Sequence, residues 1–143
     1  MDIINVNVRN SRVGVHSFDP KEKKVMQLIT LVIQYDNKKS KEVLLGLKKH
    51  TSLAFCCKQY FGISYQNDAG TTRDRILELL DKDGNSMTSI PQPKGEIISV
   101  FEEMFIVKDK DNVYAYGSAG TIVATGKFPK DGSSEILLNK ITP

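Results

Sequence analysis

A chain of 143 residues that is 40% apolar is long enough to build one hydrophobic core, so we expect a single globular domain over residues 1–143. Charged residues make up 26% of the chain, which excludes a disordered polyelectrolyte. The net charge of +3 and the pI near 8.8 fall short of the strongly basic balance of dedicated nucleic-acid binders.

Three further features point to a cytoplasmic protein without a membrane anchor. The longest apolar run is shorter than a membrane span, and the N-terminal residues do not have the pattern of a signal peptide. The two cysteines, Cys56 and Cys57, are neighbours in the sequence and cannot form an ordinary disulfide without straining the backbone. Free thiols are typical of reducing compartments, so we expect a cytoplasmic location.

The first predicted element is a β-hairpin over residues 4–18. Ile4, Val6 and Val8 alternate with polar residues, which is the period-two pattern of a strand with one wet face. A second short apolar run ends at Phe18, and Asn10-Ser11 between the two runs is typical of a turn.

Residues 25–35, VMQLITLVIQY, form the longest apolar run and are rich in β-branched residues, which favour strand. Apolar residues fall on both parities of this run, so we predict a central strand that is covered on both faces. Asp19-Pro20-Lys21-Glu22 has the cap, proline and glutamate of a helix start, which predicts one helical turn at 20–24 before the strand. A helix through the whole segment is the alternative. Residues 42–47 are interpreted as the returning strand.

The next two elements are predicted to be helices. Thr51 or Ser52 can cap a helix that would end at Gly62. One face of that helix would carry a continuous apolar stripe, made of Leu53, Cys56, Cys57, Tyr60 and Phe61. Residues 71–82 are interpreted as a second helix, with the first arm of a hairpin turning at Asp83-Gly84 as the alternative.

Pro91 and Pro93 break the chain before its last part. Residues 97–107 fit either helix or strand, and strands are predicted at 113–116, 121–128 and 135–141. The fold class that these elements favour is α+β, an antiparallel-dominated β-sheet with about two packed helices. The alternative is an all-β sandwich, in which residues 72–82 and 96–107 are also strands.

Two loops resemble ligand-binding motifs but are better interpreted as turns. Asp81-Lys82-Asp83-Gly84-Asn85-Ser86 begins like a calcium-binding loop. However, Ser86 stands where that loop needs glycine, and Gln92 stands where it needs a bidentate glutamate. Gly117-Ser-Ala-Gly120-Thr121 lacks the lysine and the following helix of a phosphate loop, so a hairpin turn is favoured.

The histidines and cysteines do not have the spacing of a metal site, so neither a metal nor a cofactor is predicted. His16 and His50 are the only histidines, and none of the usual paired ligand spacings is present. A thiol on the buried stripe of a helix is usually a small core residue. A nucleophilic pair of Cys56 or Cys57 with a histidine is the less favoured interpretation.

The candidate ligand-binding residues are the cations that precede the two predicted helices. Lys48, Lys49 and His50 precede the first helix, and Arg73 and Arg75 open the second. Cations beside the free amides of a helix start form a plausible anion site. The alternative is a solvated charged edge with the neighbouring aromatic residues in the core.

We therefore favour a non-enzymatic binding or accessory module, whose surface takes a protein partner or an anionic, phosphate-bearing small ligand. Nucleic acid would suit the same cations but has less support from the modest charge. Assembly as a homo-oligomer is a further expectation. The alternative function is a small hydrolase or transferase that uses His16 or His50 with carboxylate residues.

Overall fold

The computed structural model describes residues 2–12, 18–19, 24–25, 27–36, 38–48, 50–66, 74–129 and 138–140. None of these residues is helical, and the described chain is built from antiparallel strands. The predicted α+β class is therefore wrong, and the structure fits the all-β alternative.

Fourteen strands appear in the described residues. They are β1 (Asn5–Arg12), β2 (Phe18–Asp19), β3 (Lys24–Val25), β4 (Gln27–Gln34), β5 (Ser40–Lys48), β6 (Ser52–Cys56), β7 (Tyr60–Gln66), β8 (Arg75–Asp81), β9 (Ser86–Pro91), β10 (Glu96–Phe101), β11 (Met104–Asp109), β12 (Asn112–Tyr116), β13 (Ile122–Lys127) and β14 (Leu138–Lys140).

The strands form three main sheets that follow one another along the chain. The first sheet has the order β1-β4-β5, the middle sheet β6-β7-β8-β9 and the last sheet β10-β11-β12-β13-β14. A small ribbon, β2-β3, is inserted between β1 and β4. β6, the first strand of the middle sheet, contacts β1 of the first sheet and β10 of the last sheet.

The predicted hairpin at 4–18 is wrong, because Asn10-Ser11 lies within β1 and β1 pairs with β4. The strand predicted at 25–35 is confirmed over Gln27–Gln34, and β4 is the central strand of the first sheet. Only one of its faces is fully covered, since Ile29, Leu31 and Ile33 are buried while the alternate residues stay partly exposed. The helical turn predicted at 20–24 falls largely outside the described residues.

The helix predicted from Thr51 to Phe61 is a hairpin of β6 and β7. Residues 57–59 make its turn, and Cys56 pairs with Phe61 across the ladder. Spacings of three and four residues place apolar side chains on one side of a helix, but the same residues also fill both faces of two short strands. Gly62 does not end a helix; it lies inside β7, opposite the ring of Phe55.

The second predicted helix is also a strand, and the hairpin alternative describes it correctly. β8 covers Arg75–Asp81 and turns into β9 at residues 82–85. Residues 97–107 form the hairpin of β10 and β11. The strand at 113–116 is confirmed by β12, and those at 121–128 and 135–141 correspond to β13 and to the described part of β14.

Hydrophobic side chains fill the spaces between the stacked sheets. The first and middle sheets enclose a cluster of Ile3, Val6, Leu31, Ile33, Phe61, Ile63 and Leu80. The middle and last sheets enclose a second cluster of Phe55, Cys57, Tyr60, Leu77, Leu79, Phe105 and Val107. β7 contributes to both clusters and is buried from Tyr60 to Ser64. It is therefore β7 that is covered on both faces, the role predicted for residues 25–35.

Within the described residues, the structure contains no helix that is long and apolar enough to span a membrane.

Candidate functional site

Arg75 is the predicted site residue with the most defined contacts. Its Nε–H donates to Ser64 Oγ at 2.8 Å, and its Nη2 donates to the carbonyl oxygens of His50 at 2.6 Å and Ser64 at 2.9 Å. These bonds tie the start of β8 to β7 and to the turn before β6. The guanidinium is therefore held in one position by three neutral oxygen atoms.

His50 joins this group through its backbone. It is exposed and has φ 49°, the left-handed conformation, and its carbonyl oxygen accepts the hydrogen bond from Arg75 Nη2. Thr51 follows at once and is 8% exposed, and its Oγ1 is buried without a hydrogen-bond partner among the described residues. We use the name Arg75 corner for five residues: Arg75, Ser64, His50, Thr51 and Gln92. The contact of Gln92 with Arg75 is described in the next paragraph.

A cleft of about 420 Å³ opens beside this corner. Its lining residues are Asp74, Arg75, Ile76, Ser89, Ile90, Pro91 and Gln92. The backbone N–H of Gln92 donates to the carbonyl of Arg75 at 2.9 Å, while its side-chain Oε1 is buried without a partner in the described structure. The cleft therefore combines aliphatic side chains with the fixed cation of Arg75 and the acidic residue Asp74.

Lys48 lies on the other side of the middle sheet. Its Nζ sits 4.1 Å from the centre of the Tyr65 ring, a cation–π contact. Tyr65 and Ser64 are consecutive residues of β7, so their side chains point to opposite faces of the sheet. The structure thus brings His50 and Arg75 together and separates Lys48 from them. Lys49 and Arg73 lie outside the described residues.

No carboxylate pairs with Arg75 among the residues that the structure describes. A partly buried charge is normally matched by an opposite charge, whereas the three oxygens that accept hydrogen bonds from Arg75 are all neutral and Asp74 only lines the same cleft. Nη1, the remaining end of the fork, makes no hydrogen bond to any described residue. An anion placed there would complete the hydrogen bonding of the guanidinium with charge-assisted bonds.

Cys56 and Cys57 lie at the far end of β6, within a cluster that includes Tyr60 and Glu103. Burial is the main cause that raises the pKa of Cys57 to about 11, and the Glu103 carboxylate adds to it. The pKa of Cys56 is raised for the same two reasons, and that of Tyr60 is raised chiefly by burial. The hydroxyl of Tyr60 donates to the carbonyl oxygen of Glu103 at 2.6 Å. These thiols have the environment of core residues rather than of nucleophiles.

Cys57 is therefore expected to resist alkylation in the folded protein. With a pKa of about 11, the thiolate fraction at pH 7.5 is well under one in a thousand, and the rate should rise about tenfold per pH unit up to pH 11. The measurement is iodoacetamide labelling of the Cys56→Ser variant, followed by mass spectrometry across pH. The same variant unfolded in guanidinium is the control and should react fast; equally fast labelling of the folded form at pH 7.5 would contradict the assignment.

The cysteine–histidine pair is not assembled from His50. His50 precedes β6 and Cys56 ends it, and six residues of extended chain span roughly 20 Å. His16 lies outside the described residues. Among the described side chains, no three of the types His, Cys, Asp and Glu converge as metal ligands.

The two motif-like loops are both turns with hydrogen bonds within the turn. Asp81 Oδ1 accepts the backbone N–H groups of Asp83 and Asn85, both at 2.9 Å, so it serves the β8–β9 turn. The amide of Gly117 donates to Thr121, and that of Gly120 donates to Gly117, each at 3.0 Å. Both loops are therefore hairpin turns, which connect β8 with β9 and β12 with β13.

Sequence reasoning found Arg75 and His50 but missed Ser64, Thr51 and Gln92. These three are uncharged polar residues in ordinary strand or turn context. Ser64 and Gln92 meet Arg75 through the pairing of β8 with β7 and β9, and Thr51 follows His50, whose carbonyl oxygen accepts from Arg75. The spacing of these three residues in the sequence does not predict that they lie near Arg75.

No protein-family model, curated protein or solved structure was found to match this chain.

Proposed function

We propose that this chain is a non-enzymatic binding module that takes an anionic, phosphate-bearing ligand at the Arg75 corner. The observation that carries the proposal is the guanidinium of Arg75, partly buried, fixed by three neutral oxygens and without a carboxylate partner among the described residues. A cation that is already held in place loses little conformational entropy when it meets its ligand.

The cleft beside the corner supports the same proposal. Ile76, Ile90 and Pro91 offer apolar contact, while Asp74 on the same lining favours a ligand that also carries a hydrogen-bond donor. The ligand that fits is a small molecule, or the tip of a protein partner, with an anionic group next to a hydroxyl or amide. We also propose a cytoplasmic location, which the two free cysteines support.

Replacing Arg75 is expected to weaken anion binding. Arg75→Lys keeps the charge but loses the fork, and we expect its dissociation constant for pyrophosphate to rise about tenfold, or about 1.4 kcal/mol. Arg75→Ala should lose more and should also lower stability, since three hydrogen bonds to backbone and side chain disappear. Calorimetric titration with pyrophosphate, together with urea unfolding of each variant, separates the two effects.

The matched control is Lys58→Ala, which removes an exposed cation from the turn at the opposite end of β6. Its affinity for pyrophosphate should equal that of the parent. Unchanged affinity in a folded Arg75→Lys protein would remove the proposal.

A further inference from the structure

A second depression lies between the first and middle sheets, away from the Arg75 corner. The β4–β5 turn contributes Tyr35, Lys38, Lys39 and Ser40, and the β8–β9 turn contributes Lys82 and Asp83. We call these six residues the inter-sheet depression. Its volume of about 510 Å³ is within the range of small-ligand sites. Lys82 follows β8 and Arg75 begins it, so the two places are roughly 20 Å apart.

Two contacts hold the two turns in register with each other. The hydroxyl of Tyr35 donates to the carbonyl oxygen of Lys82 at 2.5 Å. Gly84 packs directly on β5, because a Cβ at this position would lie 2.8 Å from Val43 Cγ2. The lysines of the two sheets are therefore brought to one depression by fixed backbone, not by chance approach of their long side chains.

The ammonium groups of Lys38, Lys39 and Lys82 form no ion pair with any described carboxylate. In two nearby aspartates, one carboxylate oxygen accepts hydrogen bonds from backbone N–H groups instead. Asp36 Oδ1 accepts hydrogen bonds from the N–H groups of Lys38 and Lys39, both at 2.7 Å. Asp81 Oδ1 accepts one from the N–H group of Asp83 in the β8–β9 turn. Lys38, Lys39, Lys82 and Ser40 thus line one depression without a described carboxylate bound to any of the three ammonium groups.

We infer that the inter-sheet depression is a second binding site, which takes the phosphate group of a small phosphorylated polyol. Three lysines from two turns match the three terminal oxygens of a phosphate monoester, and lysine binds such groups as a point charge. The exposed carboxylate of Asp83 stands at the rim and can accept a hydrogen bond from a ligand hydroxyl.

The carboxylates around the depression decide between a small ligand and a polyanion. Asp83 lines the depression, and Asp36 and Asp81 belong to or adjoin the same two turns, so that their charges would repel the further phosphates of a nucleic acid strand. The Asp83 carboxylate also lies close to Tyr35, since Asp83 and Asp81 add to burial in raising the pKa of that phenol. One phosphate group can be bound among the lysines, whereas a chain of phosphates would cross this acidic rim.

The test uses glycerol 3-phosphate, inorganic phosphate and a ten-nucleotide single-stranded DNA, each titrated into the full chain and followed by NMR. We expect glycerol 3-phosphate to shift the amides of residues 38–40 and 82–83. Lys82→Ala and Lys39→Ala should each raise its dissociation constant five- to tenfold. Asp83→Ala should remove the preference for glycerol 3-phosphate over inorganic phosphate, because the side-chain oxygens that accept from the hydroxyl are lost.

Lys41→Ala is the control, since Lys41 is an exposed lysine in β5 that does not line the depression, and its binding should be unchanged. Arg75→Lys should also leave this binding unchanged, which makes the inference independent of the proposed function. Unaltered affinity in Lys82→Ala would overturn the inference. Tighter binding of the DNA, lost in Lys82→Ala, would overturn it in favour of a nucleic-acid surface.

Discussion

Phe105→Ala is expected to lower the free energy of unfolding by about 3–5 kcal/mol. Phe105 is fully buried and lies between two other rings, with centroids 4.4 Å from Phe55 and 5.1 Å from Tyr116. Removing it opens a cavity where the middle and last sheets meet and ends both stacking contacts. The measurement is urea unfolding followed by circular dichroism.

Phe101→Ala is the matched control for this prediction. Phe101 belongs to the same sheet and is 57% exposed, so its loss should change the unfolding free energy by no more than about 0.5 kcal/mol. Since small domains are stable by about 5–15 kcal/mol, Phe105→Ala could leave the protein largely unfolded, and Phe105→Leu then gives a measurable intermediate loss. Equal effects of the two alanine variants would show that the last sheet does not dock on the middle sheet as described.

Gly62→Ala is expected to destabilise the protein by about 1–3 kcal/mol, although it only adds one methyl group. A Cβ at Gly62 would lie 2.3 Å from Cε1 and 2.8 Å from Cζ of Phe55. β7 is buried on both faces, so the ring cannot move away without displacing the stack that it forms with Phe105. Thermal or urea unfolding measures the loss.

A double-mutant cycle identifies the cause of that loss. Phe55→Leu leaves room above residue 62, so Gly62→Ala should cost clearly less in this background, with a coupling of about 1 kcal/mol or more. Gly117→Ala is the glycine control, because its nearest contact would be 3.3 Å, to Val123 Cγ1, and its effect should be smaller. Additive effects of Gly62→Ala and Phe55→Leu would refute the proposed contact.

The strand content of the chain could be predicted where β-branched residues decide it. The strand at residues 25–35 is predicted because isoleucine, valine and threonine outweigh the helix start before it, and β4 confirms it over Gln27–Gln34. Residues 51–61 were not, because Leu53, Cys56 and Phe61 have a spacing that suits a helix face and a two-strand hairpin equally. Their turn at Lys58-Gln59 also lacks the glycine or asparagine that announces a tight turn.

The candidate sites depended on information that no local pattern contains. Arg75 was found as a cation, but its contact with the His50 carbonyl results from the pairing of β7 with β8. Lys38 and Lys39 follow the long apolar run in the sequence and belong to no motif there. Their approach to Lys82 requires two sheets to dock, which is a tertiary event over more than forty residues of chain.

The connectivity of the sheets has a consequence for how the chain folds. Among the described strands, every pairing joins consecutive strands except that of β1 with β4. Contacts that are close in sequence need little loop-closure entropy, and proteins rich in them fold faster than other β proteins of similar size. Each meander can therefore form before its neighbours do. The later and cooperative step is the expulsion of water from between the sheets, when Phe55 meets Phe105 and Tyr35 reaches Lys82.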